Sequence, residues 1–380
     1  MRIAYFTESL FPHVDGVSRT LAQLFRTLEH RGVEFRVYSP FVPENSVSWS
    51  GRVQRVPAIA FPLYRDYKVS IPSPGLAAEL DEYQPDLLHL VSPTPMAAWA
   101  QRYAARAGVP VVSSFHTHFV SYLRYYGMPA LEEVGWALLR RFYTRCDAVY
   151  APSPAIIQEL AEHGIEGVEL WSRGIELARY SPAFRDVALR ERVGADAEHP
   201  LLLMVSRLVK EKDLKDLVAM HEILRARGSQ HRLVLVGEGP MREELEAALP
   251  DAYFAGHQEG EALSRWYASA DVFVFPSTTE TFGNVVLEAL ASGVPAVVVD
   301  RGGPPGLVRP GVTGRIARAN DPADLAEHVG ALLAEPELRR AMGQHARESA
   351  SERDWSVING RLIESYAAIV GTSVRLRAAS

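Results

Sequence analysis

The chain repeats one alternation along its whole length. Short aliphatic runs with no polar residue among them, such as LLL at 201–203, LVLV at 233–236, VFVF at 272–275 and AVVV at 296–299, recur with stretches of helical apolar spacing between them. A run that is apolar at every position has both faces buried, the mark of a strand in a parallel sheet covered by helices. The first series places strands at 2–8, 35–40, 87–91, 109–116 and 148–153, and helices near 18–32, 94–107, 131–145 and 153–163. Residues 177–199, with RYSPAFRD and GADAEHP, read as a linker. The second series places strands at 200–208, 231–240, 252–256, 271–277, 295–300 and 314–317. Its helices fall at 213–228, 241–248, 260–269, 283–292, 322–334 and 336–350. The chain has 380 residues, more than the roughly 250–300 that a single core serves. The expected architecture is therefore α/β, with two doubly wound domains, 1–180 and 181–353, facing across a cleft. Residues 354–380 are left as a C-terminal helix able to return to the first domain.

Charge and cysteine content exclude several classes. A net charge of −6 and a pI near 6.1 do not favour a nucleic-acid partner. Cys146 is the one cysteine in the sequence, so no disulfide forms within the chain and Cys-rich metal sites are excluded. This suits a reducing cytoplasm. MRIAYF reads as a strand rather than a signal peptide. No run of about 18 uncharged apolar residues is present, so no membrane-spanning helix is expected.

Ligands of open α/β sheets bind outside the carboxyl ends of the strands, so the residues just after each strand carry the information. Asp15-Gly16 follows the first strand and opens a helix whose N-terminal amides suit an anion; an ordinary βα turn is the other reading. The dinucleotide fingerprint G-x-G-x-x-G is absent, which argues against NAD. Arg207 and Lys212 follow LLLMV. A guanidinium and an ammonium at that point suit a phosphate, whereas Lys210 reads as solvated. Gly237-Glu238-Gly239-Pro240 allows a ligand near the backbone or a plain tight turn.

The stretch PSTTETFGNVVLEALASGVPAVV at 276–298 is the most telling. Glu280 and Glu288 flank a Phe282-Gly283-Asn284 turn. Eight residues of helix span at most roughly 12 Å, beyond the about 5–9.5 Å of a glycosidase carboxylate pair. The spacing suits two contacts on one elongated ligand, with the amides of Phe282, Gly283 and Asn284 holding phosphate between them. Glu280 also reads as a helix cap. Glu288 sits among Val285, Val286, Leu287, Ala289 and Leu290, and an unpartnered carboxylate there would cost several kcal/mol. A ligand or a basic neighbour is implied.

That stretch closely resembles the E-x7-E signature of the retaining, nucleotide-sugar-dependent glycosyltransferases of the GT-B fold. The resemblance extends over nearly the whole chain, through the Gly16 loop, SSFHTHF at 113–119, WSRGIE at 171–176, SRLVKEK at 206–212 and GEGP at 237–240. It implies that Glu280 touches hydroxyls of the transferred sugar and Glu288 the ribose. It implies that Arg207 and Lys212 bind the diphosphate, that His116 lies near the reacting sugar, and that Gly16 lies near phosphates and acceptor. Arg173, Gly237 and His257 are secondary donor-side candidates. LWSRGIE and HTHFVSYLRYYG resemble the mannosyltransferase and glycolipid-glycosyltransferase branch, in which GDP-mannose is a frequent donor. Relatives often carry Asp where this chain has Glu176.

The resemblance thus implies a retaining hexosyltransferase using a nucleotide-sugar donor, GDP-mannose or a UDP-sugar, and no cofactor. No Asp-x-Asp triplet is present, so metal independence is expected. A UDP-sugar enzyme with a soluble acceptor, a sugar-nucleotide epimerase, a phosphorylase and a non-catalytic binding protein are the alternatives. The acceptor side rests on YLRYYGMPALEEVGWALLRRFYTRCD at 122–147, where Arg124, Arg140, Arg141 and Arg145 accompany Trp136 and Leu138. Such a helix either lies on an anionic membrane at the inner face and collects a glycolipid acceptor, or is an ordinary helix with a basic side.

Overall fold

The computed structural model describes all residues except 14, 44–46, 62–63, 119, 121–127 and 380. All of YLRYYG at 122–127, Arg124 included, therefore lies outside the described residues. The chain divides into two compact units, and the break in sequence falls at Arg173/Gly174 rather than at 180.

Unit 1 holds a seven-stranded parallel sheet and a separate hairpin. Its strands are β1 (Arg2–Phe6), β2 (Glu34–Ser39), β3 (Val53–Arg55), β6 (Leu87–Leu90), β7 (Val111–Ser114), β8 (Ala148–Ala151) and β9 (Val168–Leu170), with β4 (Ala58–Phe61) and β5 (Tyr64–Ser70) forming the hairpin. The sheet order is β3-β2-β1-β6-β7-β8-β9. From β1 the chain runs to one edge, and from β6 to the other, so the switch point lies between β1 and β6. Its helices are α1 (Gly16–His30), α2 (Leu76–Tyr83), α3 (Pro95–Ala107), α4 (Glu132–Tyr143) and α5 (Pro154–Glu162). Thr94 caps α3 and Ser153 caps α5, and each helix opens on a proline, which suits N1 because its missing N–H has no partner to lose.

Unit 2 holds a six-stranded parallel sheet in the order β12-β11-β10-β13-β14-β15. The strands are β10 (Leu201–Val205), β11 (Arg232–Val236), β12 (Tyr253–Phe254), β13 (Val272–Phe275), β14 (Ala296–Val299) and β15 (Gly314–Ala317). The helices are α6 (Val187–Arg192), α7 (Leu214–Ala226), α8 (Arg242–Ala248), α9 (Gly260–Ser269), α10 (Asn284–Ala291), α11 (Pro322–Ala334) and α12 (Pro336–Ser351). The switch point lies between β10 and β13.

One expectation is corrected. Residues 177–199 are no linker. Tyr180, Leu189 and Ala195 are buried in the unit 2 core, and Arg190 of α6 donates to the Ser269 carbonyl at 2.6 Å and the Asp271 carboxylate at 2.8 Å. The polar, proline-bearing composition hid a short amphipathic helix. The last helix, α13 (Trp355–Ala379), groups with unit 1. Leu362, Ile363 and Tyr366 enter the unit 1 core. Asn359 bridges Trp171 Nε1 at 3.2 Å and Thr27 Oγ1 at 3.1 Å.

Candidate active site

In unit 2 the candidate residues gather at the carboxyl ends of β10 and β13, on either side of the switch point. After β10 the chain makes a single 3-10 turn, Lys210–Lys212, and then Asp213 adopts a left-handed conformation with φ of 53°. That turn buries Lys212 and Glu211 while Lys210 stays in solvent. The Lys212 ammonium is paired with the Glu280 carboxylate of the loop after β13. The two loops are cross-linked further. Asp213 Oδ2 accepts from the Thr278 amide at 2.8 Å and its hydroxyl at 2.9 Å. Ser277 and Thr279 donate their hydroxyls to the Glu211 carbonyl at 3.2 and 2.8 Å. Arg207 is half-exposed, with its guanidinium 3.7 Å from Glu211.

Glu280 does not cap the following helix. The N-cap of α10 is Gly283, at φ of 95° and without a side-chain cap. A Cβ there would press on Pro304 at 3.1 Å. The helix thus begins at Asn284, with its first amides next to Phe282 and Gly283, as an anion-binding helix start requires. Glu288, 4% exposed, was expected to need a ligand or a basic neighbour. The Tyr267 hydroxyl of α9 donates to its Oε2 at 2.7 Å. That bond occupies one acceptor site of the carboxylate, and an ionised carboxylate has about four.

The glycines after the strands acquire packing reasons. A Cβ on Gly237 would lie 1.8 Å from the Ser206 carbonyl oxygen, and one on Gly239 would lie 2.3 Å from that of Leu208. The β11 loop is pressed onto the β10 loop, so these glycines let backbone approach backbone. The Gly237 amide also donates to the Gly256 carbonyl at 2.8 Å, beside exposed His257. The sequence reading missed Gly302 and Gly303. Their Cβ positions collide with the backbone of Glu280 and Thr281, and the Gly303 amide donates to the Glu280 carbonyl at 2.7 Å. The Gly-Gly pair just after VVVD was the available signal.

In unit 1, Gly16 is the first residue of α1, and the expected anion site there is partly closed from within. Asp15 and Ser18 form a reciprocal capping box, with the Asp15 carboxylate accepting from the Ser18 amide at 2.7 Å. Burial opposes ionisation of Asp15, but bonds from His13, Ser9 and Ser18 hold it below the usual carboxylate range. His116, two residues past β7, and Arg173, past β9, are brought together. Arg173 Nη2 lies 2.6 Å from His116 Nδ1, and Nη1 donates to the Trp171 carbonyl at 2.9 Å. Arg173 thus serves His116 within unit 1. His118 is paired with Glu159 at 2.7 Å, a structural contact.

On α4 the expected exposed face is corrected. Trp136 is buried and stacks on His163 with centroids 3.7 Å apart. Val134 and Leu138 point outward, at 54% and 63% exposed. With exposed Arg141 they form a stripe at helical spacing of 134, 138 and 141, and exposed Arg145 follows in the turn just past the helix. No helix among the described residues is long and apolar enough to cross a membrane.

Residues 14–179 match the profile of Glycosyltransferase Family 4, and residues 187–349 that of Glycosyl transferases group 1. The chain is 36% identical, over 98% of each sequence, to the GDP-mannose-dependent alpha-mannosyltransferase of Mycolicibacterium smegmatis. It is 29% identical to that organism's GDP-mannose-dependent alpha-(1-6)-phosphatidylinositol monomannoside mannosyltransferase, over 93% of this chain and 95% of the other. Among solved structures, sucrose-phosphate synthase from Thermosynechococcus elongatus superposes with a TM-score of 0.79 at 23% identity over the full length of both chains. With the two parallel sheets and the loops at their switch points, these likenesses make the chain a member of the group 1 glycosyltransferases of the GT-B fold.

Proposed function

We propose that this glycosyltransferase moves a mannosyl residue from GDP-mannose, with retention of configuration and without a metal ion, to a hydroxyl of a glycolipid. The carrying observation is the clasp at the unit 2 switch point, where Lys212 and Glu280 from neighbouring loops meet beside the uncapped start of α10. A diphosphate reaching that point exchanges one anionic partner of Lys212 for another. Glu280 is then released toward the hydroxyls of the sugar, and Glu288 accepts from the ribose. As the anomeric C–O bond breaks, charge develops on the departing diphosphate. Arg207, Lys212 and the α10 amides are preorganised for that charge and act more strongly on the transition state than on the bound donor.

The donor choice follows the names of the relatives, and the lipid acceptor follows the Val134–Leu138–Arg141 stripe, with Arg145 just past it, together with the phosphatidylinositol mannoside relative. Thermal-shift titration with GDP, UDP and ADP tests the donor, since a ligand of the native state raises stability by mass action. GDP is expected to stabilise the protein most, and GDP-mannose to release GDP only when acceptor lipid is supplied. Stabilisation by UDP and not by GDP would replace the proposal with a UDP-sugar enzyme.

A further inference from the structure

The ring of His116 belongs to a line of buried polar groups that starts at Arg173 and ends on α13. Arg173 Nη2 lies 2.6 Å from His116 Nδ1. His116 Nε2 lies 2.7 Å from Ser114 Oγ, which lies 2.9 Å from His89 Nε2. His89 Nδ1 lies 2.5 Å from the Tyr366 hydroxyl. All five residues are buried, and they come from β6, from β7 and the segment just after it, from the segment after β9, and from the C-terminal helix.

Counting donors fixes the protons. A guanidinium has donors only, so His116 Nδ1 accepts. The His116 proton is therefore on Nε2 and points at Ser114 Oγ. The one proton of Ser114 is left to reach His89 Nε2, which places the His89 proton on Nδ1, aimed at Tyr366. In this arrangement the Tyr366 proton turns to the buried Tyr5 hydroxyl beside it, whereas in the reverse one, with His89 also donating to Ser114, the Ser114 proton would have no acceptor among the described residues, a penalty of about 1–3 kcal/mol for a buried donor. Two histidines, one on β6 and one just past β7, are thus held in opposite tautomers, with each donor pointing away from Arg173. Protonation of either ring is opposed. Burial, and then the Arg173 and His89 charges, push His116 well below the ordinary histidine range. Burial pushes His89 down to about 3.

We propose that Tyr366, His89, Ser114 and Arg173 are positioning residues for glycosyl transfer, holding His116 as a neutral imbedded imidazole protonated at Nε2 and fixed in orientation, so that it shapes the sugar site and does not take up the acceptor's proton. The proposal rests on the reading of His116 as a residue beside the reacting sugar. It gives α13 a part in the reaction through one hydroxyl group, beyond its packing on unit 1.

Two-bond proton–nitrogen spectra of protein labelled with 15N-histidine test the relay directly, with His116→Gln and His89→Gln used for assignment. The wild-type enzyme should show His116 in the Nε2–H pattern and His89 in the Nδ1–H pattern, neither titrating between pH 5 and 8. A shared tautomer, or a His116 that titrates near pH 6.5, overturns the proposal. Ser114→Ala and Tyr366→Phe each remove a single oxygen. They should lower kcat by about tenfold, the scale of a small misplacement at a transfer site, and leave the KM for donor within about twofold. Unchanged kcat in both variants, with His116→Ala inactive, overturns the relay alone. Unchanged kcat in His116→Ala itself overturns the underlying reading of His116, and the positioning role falls with it.

Discussion

At the scale of single residues, the two glutamates of the E-x7-E segment have different surroundings, and different losses follow. Glu280 is paired with an ammonium at a loop tip, whereas Glu288 is inside, bonded to Tyr267. Glu288→Ala should weaken GDP binding by about tenfold, near 1.4 kcal/mol, with kcat little affected. Glu280→Ala should lower kcat by roughly 10²–10³, the scale for losing a transition-state contact. Equal losses of GDP affinity in both variants would count against this division, and isothermal titration beside turnover measurements decides it. A third carboxyl is exceptional in another way. Glu8 follows β1, is 2% exposed, and burial pushes its carboxyl from 4.5 up to about 7 against weaker opposing bonds from Thr94 and Ser70. Between those two values the native protein holds a proton that the unfolded chain has lost, so stability falls as pH rises through that window. The fall is on the order of 3 kcal/mol at 1.36 kcal/mol per pH unit. Glu8→Gln should match the wild type near pH 4.5 and exceed it in urea midpoint at pH 8. A difference between the two that does not vary with pH would refute the assignment.

At the scale of elements, the loops after β10 and β13 act as one clasp, tied by Asp213–Thr278 and Glu211–Thr279 as well as by Lys212–Glu280. Arg207→Ala and Lys212→Ala should each reduce kcat/KM by about tenfold to a thousandfold, and EDTA should leave wild-type activity nearly intact. Loss of activity with EDTA and its recovery with Mg²⁺ would overturn the metal-free reading. The α4 stripe carries a separate expectation. Leu138→Glu with Arg141→Glu should release the protein from vesicles containing anionic lipid, while transfer to a detergent-dispersed acceptor persists. Absence of binding to such vesicles in the wild type would remove the physical support for a membrane-borne acceptor. The sequence exposed these elements unevenly. Central strands were legible because parallel strands buried on both faces read as unbroken apolar runs, as in β10, β13 and β14. The edge strands β3 and β9, with exposed positions, carry no such run and went unread, as did the β4–β5 hairpin, whose apolar AIAF at 58–61 lies outside the parallel sheet. The functional loops were legible by their charged residues after strands. The Tyr267 partner of Glu288 and the Gly302-Gly303 support of Glu280 were not, because both contacts join segments that only the fold brings together.

At the scale of the molecule, unit 1 is assembled from segments far apart in the chain, and its last segment is its most testable. Beyond the Asn359 bridges, Tyr150 and Ser365 hydroxyls meet at 2.8 Å, and Leu362, Ile363 and Tyr366 are buried against β-strands and α1. Burying three such side chains contributes roughly 1.5–3 kcal/mol each, a total of the same order as the 5–15 kcal/mol by which a whole domain is stable. Unit 2 keeps its own sheet, its core and the Lys212–Glu280 clasp without any of these contacts. Deleting residues 355–380 should therefore unfold unit 1 selectively. Calorimetry should show the loss of part of the unfolding enthalpy. Limited proteolysis should cut within 1–173 and spare 174–354, and GDP should still shift the remaining transition upward while transfer is abolished. A truncated protein that retains the full unfolding enthalpy would show that α13 is an accessory to unit 1, and one in which GDP no longer stabilises anything would show that the donor site needs more than unit 2.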